Sequence, residues 1–137
     1  VTGVQTCALP ISLISELNSI YRSNPALFQR DTSAAGFHWL VGDDGDGNTL
    51  AFARSSDSQE ALISITNFSP VPRENYRIPI TAEGEWFEIL NTDDQRFGGS
   101  GVTNSSINVV NEEDRGHPRS AVMRIPPLGT VWLARRN

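Results

Sequence analysis

The chain has 137 residues, 38% of them hydrophobic and 20% charged, with eleven basic against sixteen acidic residues and a net charge of −5. That balance speaks against a nucleic-acid or anionic-membrane partner. No apolar run approaches the roughly 20 residues of a membrane span, and the single cysteine, Cys7, allows no internal disulfide and fits a reducing, cytoplasmic setting.

Residues 1–12 show neither helical nor strand period, and their string is similar to a translated sequencing-adapter remnant. They are expected to form a non-native or disordered leader. From Ser12 to Ser23 the pattern is helical. Leu13, Ile14, Leu17, Ile20 and Tyr21 fall on one stripe, Ser12 is the expected N-cap, and Asn24-Pro25 ends the helix. A helix this short needs a surface to pack on.

The period then changes to two. Strands are predicted at Gly36–Val41, Thr49–Arg54, Ala61–Thr66, Tyr76–Ile80, Glu85–Leu90, Ile107–Val110, Ala121–Ile125 and Thr130–Ala134, separated by polar or glycine-rich turns. About eight short strands at even spacing predict a mostly β chain: an antiparallel β-sandwich preceded by one amphipathic helix. Pro70 and Pro72 must lie outside any ladder, and Pro79 marks its strand as an edge.

Several groupings are weaker than they look. Asp44-Gly45-Asp46-Gly47-Asn48 begins like a calcium loop, but Thr49 and Ser55 stand where glycine and an acid are required, so a hairpin turn is expected. Gly98-Gly99-Ser100-Gly101 precedes no helix and reads as a loop. His38 and His117 are far apart in sequence with no Cys nearby, so no metal and no cofactor is expected. Asn67-Phe68-Ser69 and Asn104-Ser105-Ser106 match a glycosylation sequon by chance. The acids, among them Asp43, Asp57, Glu60, Asp93 and Glu112, fall in turns, and no opposed carboxylate pair or nucleophile turn is visible. No catalytic residue is assigned. Of the tryptophans, Trp132 is expected in the core and Trp86 outward, while Trp39 is the candidate for stacking on a sugar ring, with Arg54 or Arg73 donating to hydroxyls. Strict alternation would put Trp39 beside Phe37 and Val41, so it faces solvent only through a bulge or strand end.

Leu17-Asn18…Tyr21…Asn24-Pro25-Ala26-Leu27, Gly36-Phe37-His38-Trp39, Asn67-Phe68-Ser69-Pro70-Val71-Pro72-Arg73 and Leu90-Asn91-Thr92-Asp93 occur in this order. With Gly98-Gly99-Ser100-Gly101 and Pro126-Pro127-Leu128-Gly129-Thr130-Val131-Trp132-Leu133, they resemble the carboxy-terminal end of bacterial 1,4-α-glucan branching enzymes of the α-amylase superfamily. Phe97 and Gly129 stand where that family usually has Tyr and Ala.

The resemblance implies a division into the leader 1–12, the last helix of an absent catalytic barrel plus linker at 13–35, and a terminal sandwich at 36–137. It implies a parent enzyme that transfers α-1,4-glucan segments to 6-hydroxyls, with its catalytic carboxylates on the barrel. The missing barrel would pack on Leu13, Leu17, Ile20 and Tyr21, and Trp39 and Arg73 are the candidate glucan-binding residues. A free-standing carbohydrate-binding sandwich, or the terminal domain of a debranching or trehalose-releasing enzyme, are the competing expectations.

Overall fold

A computed structural model of the chain describes residues 2–58 and 61–136, with side chains from residue 8 onward. Glu60, expected in a turn, lies outside the described residues. Strands β1 (Phe37–Asp44), β2 (Thr49–Ser55), β3 (Ala61–Asn67), β8 (Gly129–Arg136) and β5 (Glu85–Asn91) form one sheet in that spatial order. Strands β4 (Arg73–Pro79), β7 (Ser120–Ile125) and β6 (Val109–Val110) form the second. All pairings are antiparallel. Pro79 lies on an edge strand, and Pro70 and Pro72 lie outside the ladders, as their missing N–H groups require.

Period-two alternation makes the sandwich. Ala51 and Ala53, Ile63 and Ile65, Val131 and Leu133 from one sheet meet Ala121, Met123 and Ile125 from the other in one buried cluster. Each large side chain fully buried here contributes about 1.5–3 kcal/mol. Strand β3 is buried on both faces except at Thr66, because the Pro25–Leu27 turn also lies against β2 and β3 on the outer side.

Two tryptophans reverse their expected placement. Trp86 is 2% exposed and belongs to the core, its Nε1 donating to the Ala82 carbonyl at 3.1 Å. Alternation puts the acid Glu88 on the face of Trp86, which suggests solvent, but Glu88 itself points inward. It pairs with Leu133 in the register and is held by amides. Trp132 is half-buried on the outer face, because alternation gives the core to its neighbours Val131 and Leu133.

The registers put the motif segments 67–73, 90–93 and 126–133 at one end of the sandwich. There Asn67, fully buried, donates through Nδ2 to the carbonyls of Val71 at 2.9 Å and Pro126 at 3.0 Å, and accepts from the Ser69 N–H. The Leu128 N–H donates to the Ser69 carbonyl, and the Thr130 N–H to Thr92 Oγ1. One asparagine thus splices the proline loop to the turn before β8. Its amide is buried and engaged, so the sequon there offers no accessible acceptor in the folded chain.

Helix α1 spans Thr2–Ser23, starting at Thr2 and not at Ser12. Ser12 Oγ donates back to the Ala8 carbonyl at 2.9 Å, the bond of a serine inside a helix and not of an N-cap. Pro10 lies within the helix and omits one i→i−4 bond. The end is as expected, with Asn24 extended ahead of Pro25. The stripe expected to await a partner is largely satisfied within the chain: Ile20 is buried, and Leu13 and Leu17 are half-buried. The helix lies on the 3-10 turn Gln95–Phe97, where Glu16 pairs with Arg96 at 3.8 Å. At Gly98, φ is +84° and an added Cβ would sit 2.9 Å from Leu9 Cδ1, so glycine is what lets the two segments meet. Tyr21 remains exposed, together with Ile11 and Ile14 on the adjoining flank.

Candidate functional site

Trp39 is the most exposed aromatic of the sheet, at 59%. Its outward direction comes from a bulge in β1. Trp39 pairs with Phe52 but Val41 with Ala51, so the alternation breaks between them, and Leu40 and Val41 are both buried. Phe37 meets the indole edge-on with centroids 5.1 Å apart, Phe52 does so at 6.2 Å, and Phe37 and Phe52 stack at 5.2 Å. The two phenylalanines brace the indole from one side. Gly42 lies against it on another, where an added Cβ would come within 3.7 Å of the ring. Across the outer face the same register row continues through Ser64, Trp132 and Leu90. The Trp132 indole donates to Ser64 Oγ at 3.1 Å. An open, braced indole on an apolar shelf can stack on the flat face of a pyranose ring, worth roughly 0.5–1.5 kcal/mol per ring.

Arg73 and Trp39 do not form one site. Arg73 begins β4 in the other sheet and donates through Nη2 to the Gly47 carbonyl at 2.7 Å, so it is committed to the β1–β2 turn. In that turn Asp44 accepts from the Gly47 N–H at 2.8 Å and from the Tyr76 hydroxyl. The Tyr76 bond holds the Asp44 carboxyl below its usual value, and burial together with that bond pushes Tyr76 up to about 12. The expected hairpin turn is therefore an acid clamp between β1 and β4. Arg54, paired with Phe37 in the register and ion-paired with Asp31, is the basic residue next to the indole's row.

Two acids, Glu88 and Asp93, have structural duties that their sequence positions do not mark. Glu88 Oε2 accepts from the Asn104 N–H at 3.2 Å and Nδ2 at 2.8 Å, while Oε1 accepts from Asn91 Nδ2 at 3.1 Å. Asn104 in turn exchanges bonds with the Arg124 backbone, so this clip joins β5 to β7 across the sandwich. Burial raises the Glu88 pKa despite those bonds. Asp93 is wrapped by the glycine-rich loop, accepting from Ser100 N–H, Ser100 Oγ and Val102 N–H. Burial would raise its pKa, and these donors outweigh it and lower it. Neither acid faces a base or a second carboxylate across an open pocket.

Among the described residues no group of three or more His, Cys, Asp or Glu could hold a metal, and no helix is long and apolar enough to cross a membrane. His38 and His117, 79 positions apart by 117 − 38, nevertheless line one cavity of about 590 Å³ at the end of the sandwich opposite the Asn67 splice. No local sequence signal could have joined them; only the pairing of β1 with β2 and of β4 with β7 does.

Two antiparallel sheets, an aromatic shelf on the outer face, and acids engaged in structural clamps define an all-β sandwich domain. The chain belongs to the family described as alpha amylase, C-terminal all-beta domain, whose model matches residues 39–136. It is 47% identical over 123 residues to a 1,4-alpha-glucan branching enzyme of Burkholderia vietnamiensis, covering 89% of this chain and 17% of that protein. The corresponding enzyme of Leifsonia xyli is 46% identical over 123 residues, again 89% of this chain and 17% of the relative. That of Mesorhizobium japonicum is 42% identical over 120 residues, 88% of this chain and 16% of the relative. The chain therefore spans about a sixth of the length of these relatives. An alpha-amylase from H. orenii aligns in structure with a TM-score of 0.48 and 20% identity, over 85% of this chain and 18% of that one.

Proposed function

We propose that this chain is the carboxy-terminal β-domain of a cytoplasmic 1,4-α-glucan branching enzyme, without catalytic chemistry of its own. The parent would cleave an α-1,4-linked glucan, hold the segment as a glycosyl intermediate and pass it to a 6-hydroxyl. The observation that supports this most is identity of 42–47% across nearly nine-tenths of the chain to proteins bearing that activity in their names. In this reading the domain has two tasks. The exposed flank of α1 (Ile11, Ile14, Tyr21) is apolar surface for the catalytic barrel, replacing the Leu13/Leu17/Ile20 stripe expected from sequence. The Trp39 indole contacts glucan, weakly per ring and usefully only through avidity along a polymer; Arg73 serves the turn and Arg54 is the better donor beside it.

Two measurements test the reading. Incubated with amylose, the chain is expected to produce no new 1,6-linkages; turnover above buffer would sink the assignment of catalysis to another domain. In native gels containing glycogen the chain is expected to be retarded and Trp39→Ala to run freely. Equal retardation of the two would make Trp39 a packing residue.

A further inference from the structure

The cavity between the sheets at the end opposite the Asn67 splice has a composition that glucan binding does not explain. Among the described residues, three arginines (Arg30, Arg54, Arg135) and both histidines of the chain line it, against one acid, Asp57. This concentration of cations lies within a chain whose net charge is −5. A neutral polysaccharide carries no charge to match such a concentration of cations, whatever single hydroxyl contact Arg54 makes.

The guanidinium groups are held in place. Arg30 donates through Nε to Asp57 Oδ1 at 2.6 Å, Arg54 through Nη2 to Asp31, and Arg135 through Nη1 to the Glu83 carbonyl at 3.2 Å. For Arg30 and Arg54 the contact uses one edge of a fork that has several donors. Arg54 Nε and Thr81 Oγ1 are buried and have no hydrogen-bond partner among the described residues, a combination that normally costs free energy unless a ligand or water supplies the partner. Both belong to residues that line this cavity. Beside the cationic wall, Ala53, Ala61 and Ala82 give a floor with no side-chain polar atom.

We infer that this cavity is a binding site for a phosphate monoester, the phosphate set among the arginine forks, Thr81 and the histidines, and a small organic part over the alanine floor. Arginine forks match a tetrahedral oxyanion with paired donors. The volume of about 590 Å³ is far more than a bare oxyanion fills and lies in the range of small-molecule sites. The site meets the Trp39 shelf at Arg54, but its ligand is charged where the glucan is neutral, and Trp39→Ala tests the shelf while His117→Gln tests the cavity, so either assignment can fail without the other.

The test titrates the whole 137-residue chain with inorganic phosphate and with glycerol 3-phosphate, ionic strength being held constant with sodium chloride. Binding is followed through the imidazole NMR resonances of His38 and His117 and through the thermal midpoint. Both histidines are expected to shift saturably, with the monoester binding more tightly than phosphate and raising the midpoint. Arg54→Gln is expected to weaken binding about tenfold or more, the effect of losing one charge-assisted hydrogen bond. Because Arg54 also pairs with Asp31, His117→Gln is the second variant; its unliganded midpoint should stay near that of the unaltered chain while monoester affinity falls. Shifts that do not saturate, or that sodium chloride alone reproduces, would overturn the site. So would unchanged affinity in His117→Gln, and a monoester no tighter than phosphate would remove the organic half of the assignment.

Discussion

Glu88 shows how a single side chain couples the two sheets and makes their union pH-dependent. Its carboxylate takes three hydrogen bonds from Asn91 and Asn104, yet burial still raises its pKa above the ordinary value of 4.5. A raised carboxyl pKa means that the folded state binds more protons than the unfolded one just above pH 4.5, so this group's unfavourable contribution at neutral pH is relieved on acidification. Asp93 works in the opposite sense: its lowered pKa contributes stability that is present above its ordinary 3.8 and lost as pH falls through the folded value. In urea titrations, the unaltered chain is therefore expected to gain on Glu88→Gln as pH falls from 7 toward 4.5. Against Asp93→Asn it should lose its advantage below pH 4. A wild-type-minus-Glu88→Gln difference that shrinks on acidification would contradict the burial argument. Glu88 was also the residue that misdirected the placement of Trp86: alternation identifies which residues share a face, and an acid seen without its amide partners labels that face as solvent.

At the scale of elements, period two located all eight strands, most clearly β2 and β8, where buried and partly wet residues alternate, and the turns between strands carry Gly, Asn, Asp and Pro. Alternation could not reveal the β1 bulge, which is set by pairing with β2 and turns Trp39 outward. Nor could it find the arginine-lined cavity, whose walls come from distant segments. Helix α1 was legible at its end, where Asn24-Pro25 dictates the break, and illegible at its start, because Pro10 and the weakly amphipathic residues 2–12 carry no start signal. Its docking partner within the chain, the Gln95–Phe97 turn, had no sequence mark. The energetic consequence is direct. Ile20→Ala removes a buried side chain and is expected to destabilise by about 2–4 kcal/mol, whereas Ile14→Ala, at an exposed position, should change stability by less than about 0.5 kcal/mol. Urea midpoints of the two variants measure this. Equal effects would mean that the helix does not rest on the domain as described.

For the whole molecule the decisive strand is β8, which lies between β3 and β5 and supplies Val131 and Leu133 to the core. Its partners are remote in sequence: Thr66 and Thr130, whose hydroxyls bond at 2.8 Å, are 64 positions apart. Loop-closure entropy must be overcome before such contacts form, so folding is expected on the millisecond-to-second scale typical of sandwiches. It also means that the larger sheet cannot assemble from β1, β2 and β3 alone, since β5 reaches that sheet only through β8. Deleting residues 129–136 should accordingly leave no cooperative unfolding transition and no β signature in far-ultraviolet circular dichroism. The Asn67 splice would lose its register with the turn before β8 in the same step. Deleting residues 2–12 is the matched control. From Ala8 to Ser12 every residue is exposed, and the contact of Leu9 at Gly98 is peripheral, so the urea midpoint should fall by no more than the equivalent of about 1 kcal/mol. A chain lacking 129–136 that still unfolds cooperatively would show that β1 to β3 and the smaller sheet make a self-sufficient core. β8 would then be a late addition, and the Asn67 splice would serve only to seat it.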